Sequence, residues 1–296
     1  MWQQLKNNLI AGDIKALARA ISLIENEAEG YENFMEQLPA GHAQVIGITG
    51  PPGAGKSTLT DALTGVLAAE EKKIAILCVD PSSPFNLGAL LGDRIRMSRW
   101  FNHQNIFIRS LATRGSLGGL NAKIIEITEL VKAAGYDYII IETVGVGQSE
   151  VEIAGLADVT LVTLVPESGD EVQTMKAGLM EIADIFVVNK SDRPGADAYV
   201  KNLRMMLAPS FSNHAREIPI LKTNATTSEG VNELKAAIQN LLSGKSNNRK
   251  KEWLLAEKAW QLIVQKRMKG ISKDALREEI AKASTGFNLY AFIKQF

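Results

Sequence analysis

An α/β fold with a mostly parallel sheet, covered by helices on both faces, is what the sequence predicts, and three observations predict it. Seven short runs rich in β-branched and aliphatic residues, from "VIGIT" to "IPILKT", alternate with stretches of helical character. Runs such as "IAILCVD" and "VTLVTLV" are apolar at most positions, as strands buried on both faces must be, where a half-exposed sheet would alternate. A glycine-rich turn, "GPPGAGKST", stands between the first run and the helix after it. These features place the sheet domain at 41–245, a helical extension at 1–40 and a helical arm at 246–296.

Composition narrows the function. With 33 basic and 33 acidic side chains the net charge is zero, so the chain lacks the electrostatic footprint of a general nucleic-acid or membrane binder. The single cysteine, Cys78, cannot form an intramolecular disulfide, and it lies inside an apolar run where a core thiol is expected. No apolar run approaches the ~20 residues that span a bilayer, and "MWQQLKNNLIAGDIK" has no leader-type core. A cytoplasmic location is the expectation.

Taken in order, the first element is a helix. Ile14, Leu17, Ile21 and Ile24 recur at spacings of three and four, with Asp13 placed to cap it. The strand "VIGIT" then runs into Gly50-x-x-x-x-Gly55-Lys56-Ser57, the P-loop spacing, with a helix expected from near Lys56. Gly50, Gly53 and Gly55 let the backbone curl so that the N–H groups of the loop, through Ala54 and Thr58, point at phosphate oxygens. The helix N-terminus adds partial positive charge. Lys56 would bridge the terminal phosphates and Ser57 would offer its hydroxyl to Mg²⁺. A nucleoside triphosphate is the expected ligand.

"IAILCVD" ends in Asp80 and opens a long loop, "VDPSSPFNLGALLGDRIRMSRW", with two Pro, two Gly and two Asp, whose carboxylates could face a metal or merely cap turns. "IFIRS" and "YIIIE" follow. The latter delivers Glu142 at a strand tip, three residues before Gly145, the spacing at which a carboxylate meets the Mg²⁺ shell and a glycine N–H meets a γ-phosphate. After "VTLVTLV", the stretch "GDEVQTMKAGLMEIAD" reads on its own as an amphipathic helix with an acidic first turn.

The strand "IFVVN" closes in Asn189-Lys190-Ser191-Asp192. A carboxylate at Asp192 can accept from both N1–H and the exocyclic amine of guanine, whereas adenine lacks that donor pair. Lys190 can lay its stem along the base. Following a P-loop, this pattern selects guanine. "IPILKT" leads into "TNATTSEG", where Asn224 and Ala225 would form a second base-side loop, departing from the usual Ser-Ala form. A polar stretch at 243–251 reads as linker. Beyond it Trp253, Ala256, Trp260 and Ile263 form an apolar stripe on a basic helix, better suited to packing against a second subunit than to holding a ligand.

"GPPGAGKST", "VDPSSPFNLGALLGDRIRM", "ETVGVGQSE", "PESGDEVQTMKAGLMEIAD" and "NKSD" together closely resemble the methylmalonyl-CoA mutase-associated GTPases, G-protein chaperones once named as arginine/ornithine transport kinases. The resemblance runs from "ALARAISLIEN" to about residue 240 and is looser in the tail. It implies a P-loop GTPase domain with a helical N-terminal extension and a C-terminal dimerisation arm. It further implies GTP and GDP with Mg²⁺ as ligands, a homodimer, and service to an adenosylcobalamin-dependent acyl-CoA mutase. By motif, it places Asp80 and Asp93 near the metal and the first switch. Asp170 and Lys176 fall in a third switch between nucleotide and partner.

Two other readings compete. A nickel-enzyme metallochaperone of the same architecture would need soft or imidazole ligands. The chain offers one cysteine and three scattered histidines, His42, His103 and His214. A P-loop small-molecule kinase would need an acceptor pocket with a base, and would leave "NKSD" without a purpose.

Overall fold

The computed structural model describes residues 1–80, 97–113, 120–143, 152–166, 177–211, 218–244, 247–268, 270–283 and 287–296. Three helices come first: α1 (Trp2–Ile10), α2 (Ile14–Glu25) and α3 (Tyr31–Glu36). Asp13 caps α2 as its position predicts, its carboxylate accepting from the Lys15 N–H at 2.8 Å. Leu17, Ile21 and Ile24 are buried, as the three-and-four spacing requires of a core-facing stripe.

All seven apolar runs form strands: β1 (Gln44–Thr49), β2 (Ile74–Asp80), β3 (Ile106–Ala112), β4 (Tyr138–Glu142), β5 (Val159–Leu164), β6 (Ile185–Val188) and β7 (Ile220–Lys222). They make one sheet in the order β3-β2-β4-β1-β5-β6-β7, and every pairing is parallel. Helices α4 (Lys56–Ala68), α5 (Ile124–Ala133), α6 (Ala177–Ile182) and α7 (Ala196–Phe211) lie between strands in the chain, and α8 (Val231–Ser243) follows β7. Single 3₁₀ turns occur at Ser98–Trp100 and Ile153–Gly155.

Alternation within the strands builds a core on each face. Ile185 and Val187 of β6 join Leu59, Leu63 and Leu67 of α4 and Leu234 and Ile238 of α8 on one side. Phe186 and Val188 join Tyr199, Leu203 and Leu207 of α7 on the other. Because both faces are covered, the inner strands read as apolar at most positions.

The stretch expected as linker is largely helical: α9 runs from Asn247 to Arg267, its Lys, Glu, Leu and Ala residues outweighing the Asn pair. The chain divides into two compact units, Met1–Leu254 and Leu255–Phe296. The second holds the end of α9, α10 (Lys273–Lys282) and α11 (Leu289–Ile293), with Ser272 and Asn288 capping the last two. No described helix is long and apolar enough to cross a membrane.

Candidate nucleotide site

Strand order fixes where a ligand can sit. Chain order reverses around β1, which lies between β4 and β5, and in open parallel sheets the crevice at such a point opens at the carboxyl ends of the strands. The glycine loop after β1, Asp80 at the end of β2, Glu142 at the end of β4, and Asn189 just past β6 all stand on that edge. Residues spread from 50 to 189 along the chain thus converge through topology alone.

The loop itself depends on glycine. Gly50 has φ +134°, and a Cβ there would lie 2.1 Å from the Thr163 carbonyl oxygen; Gly55 has φ +85°, with its would-be Cβ 2.4 Å from Asn189 Nδ2. No side chain fits either place. Gly53 is also left-handed, and Ala54 is buried. Helix α4 starts at Lys56, as expected, with Thr58 half-buried in its first turn. The Lys56 ammonium donates to the carbonyls of Gly50 (2.9 Å) and Pro51 (3.1 Å), so it lies across its own loop.

Ser57 and Glu142 are brought together. The Ser57 hydroxyl donates to Glu142 Oε1 at 2.5 Å. A second hydroxyl, that of Thr60, donates to Oε2 at 3.1 Å. Cys78 pairs with Glu142 in register across β2 and β4, so Asp80, two residues on, shares the face that α4 covers. Ser57, Asp80 and Glu142 are all buried, at 5%, 3% and 3% exposure. Hydroxyl and carboxylate oxygens on one face form the hard donor set that suits Mg²⁺ and not a soft metal. Thr60 is absent from any motif. Its signal was its spacing, one helical turn beyond Ser57 and so on the same face.

The base-side loops meet the phosphate loop through two side chains, Asn189 and Lys190. Asn189 Nδ2 donates to the Ala54 carbonyl (3.0 Å), while its Oδ1 accepts from the Ala225 N–H (3.1 Å) and the Thr223 hydroxyl (3.2 Å). Lys190, at φ +56°, reaches back to the Gly53 carbonyl at 2.9 Å. Asn224 holds the second loop's turn, accepting at Oδ1 from the Thr226 N–H. Asp192 is exposed, and it lines a groove of about 700 Å³ to which no glycine-loop residue contributes. Asp93, Gly145, Asp170 and Lys176 lie outside the described residues.

Comparison with known proteins follows the same outline. The family model "Methylmalonyl Co-A mutase-associated GTPase MeaB" matches residues 17–279. A Pyrococcus abyssi protein, named provisionally as a GTPase, is 47% identical over 240 residues, 79% of this chain and 74% of that one. A fused isobutyryl-CoA mutase of Geobacillus kaustophilus is 38% identical over 255 residues, which are 80% of this chain and 23% of that protein. Among solved structures, a "LAO/AO transport system kinase" superposes with a TM-score of 0.69 at 28% identity, covering 95% of this chain and 86% of the other.

Proposed function

This chain belongs to the methylmalonyl-CoA mutase-associated GTPase family, and from that premise we propose that it is a GTPase chaperone for an adenosylcobalamin-dependent acyl-CoA mutase. One observation carries the nucleotide half of the reading. The Asn189 amide ties the N-K-x-D loop to the glycine loop, so a single guanine nucleotide can have its phosphates at 50–58 and its base at 190–192.

In this reading the loop N–H groups and Lys56 hold the phosphates, and Asp192 accepts from the guanine edge. Ser57, Asp80 and Glu142, with Asp93, would hold Mg²⁺. Bound there, the ion would supply positive charge beside the terminal phosphates, the Lewis-acid contribution that phosphoryl transfer needs. Gly145 would meet the γ-phosphate, Asn224 and Ala225 would flank the base, and Asp170 and Lys176 would transmit nucleotide state to the partner.

The mutase half rests on the family and on the fused relative, in which a chain segment like this one is part of an isobutyryl-CoA mutase. A segment carried in the same chain as a mutase is held close to it. A second copy of the chain is the proposed cover for α9, where Trp253 (62%), Trp260 (65%) and Ile263 (50%) are exposed. The test has two arms. Purified protein should hydrolyse GTP in preference to ATP without phosphorylating any acceptor, and affinity capture from the host should retrieve a cobalamin-dependent mutase. ATP preference, or a phosphorylated small molecule as product, would return the kinase reading.

A further inference from the structure

Glu142 stands where many P-loop proteins use aspartate, and its surroundings give the longer side chain a use. Its carboxylate is buried at the tip of β4 and meets two hydroxyls of α4, one on each oxygen: Ser57 on Oε1 and Thr60 on Oε2. The terminal torsion of glutamate is broad and soft, so a single hydrogen bond would leave the carboxylate plane free to turn. Two donors, one helical turn apart, fix it.

Thr60 itself is a costly choice. It is fully buried within α4, where leucine or alanine would favour the helix, and a buried hydroxyl without a partner is penalised. The Glu142 carboxylate removes that penalty. An aspartate, shorter by one methylene, could not keep both hydroxyls at these distances from the same strand tip.

We propose that Thr60 is a positioning residue of the nucleotide site: it orients the Glu142 carboxylate toward Ser57 and thereby raises affinity for the magnesium–nucleotide complex. This rests on the reading of Ser57 and Glu142 as the metal end of a GTPase site.

The test is a Mg²⁺ titration of fluorescent-GDP binding to the full chain, with a parallel measurement in EDTA. Thr60→Val keeps the shape and removes the donor. It should weaken the apparent Mg²⁺ affinity about ten-fold and leave metal-free GDP affinity unchanged, and Thr60→Ser should restore the wild-type value. Thr60→Ala, which adds no methyl beside Glu142, carries the same expectation if the valine does not fold. Glu142→Asp should weaken Mg²⁺ too, and adding Thr60→Val to it should cost less than in the wild type. Unchanged Mg²⁺ dependence in a folded Val or Ala variant overturns the proposal. So does an equal loss with and without the metal, which would mark a purely structural residue. If wild-type GDP binding ignores Mg²⁺ altogether, the GTPase-site reading itself fails.

Discussion

Asn189 joins two loops that the chain keeps far apart, and its side chain makes three hydrogen bonds in a nearly dry setting. At roughly 1 kcal/mol for each, Asn189→Ala should lower unfolding free energy by about 2–3 kcal/mol in urea melts and weaken GDP binding as well. A variant with wild-type stability would contradict the bridge. Asp192 is exposed and carries no such structural duty, so Asp192→Asn should fold normally, lose GTP, and gain xanthosine triphosphate, whose 2-oxo group accepts where guanine's amine donates. Undisturbed GTP affinity in this variant would remove the guanine assignment. The P-loop and N-K-x-D residues were legible in the sequence because phosphate and base chemistry dictate both residue type and spacing. Thr60 was not, because its partner lies 82 residues away and only the fold brings α4 beside β4.

At the level of elements, every strand was legible. The inner strands are buried along almost their whole length and read as apolar runs. The edge strands β3, interrupted by Arg109 and Ser110, and β7, only half-buried, still show short aliphatic runs. The N-terminal region was read as one helical pattern and resolves into three helices, because α1 and α3 carry too few buried positions (two each) to announce themselves. Charge adds to their buried apolar residues in fastening them. Arg109 of β3 donates to Ser22 and Glu25 of α2 at 3.0 Å each. Lys123, just before α5, pairs with Glu27 at 2.8 Å and Glu126 at 3.2 Å and donates to the Tyr31 hydroxyl at 3.0 Å. Burial alone would lower the Lys123 pKa, but hydrogen bonds to Glu27 and Tyr31 and the Glu126 charge together raise it above the ordinary lysine value. A raised folded-state pKa means that the stabilisation is complete below the unfolded value of about 10.4 and disappears as pH climbs through the folded value. Lys123→Met should therefore cost roughly 2–3 kcal/mol at pH 7, and the gap to wild type should narrow only in melts above about pH 10. A gap that closes near pH 7 would contradict the pairing.

For the molecule as a whole, the exposed tryptophans of α9 separate two outcomes. If a second copy covers Trp253 and Trp260, ending the chain near Lys250 should give a soluble monomer that still binds GTP, and the full chain should sediment as a dimer. A full-length monomer at micromolar concentration would contradict that assembly. Rate belongs to this scale too. Small regulatory GTPases place a glutamine after the switch glycine to orient water; here the sequence has Val146, with Gln148 two residues later, and no arginine marked as a built-in finger beyond the candidates Arg94 and Arg96. Intrinsic hydrolysis should then be slow, on the order of a turnover per minute or less, until a partner supplies or reorders charge.

We propose that this partner is the mutase, acting on the GTP site through the segment that contains Lys176. Single-turnover GTP hydrolysis, measured with and without the cobalamin-dependent mutase captured from the host, addresses it most directly. The account predicts slow cleavage by the isolated chain, acceleration toward the 10³–10⁵-fold that transition-state charge can supply on adding mutase, and no such acceleration in Lys176→Ala. Fast hydrolysis without any partner, or equal acceleration of the variant, would contradict it.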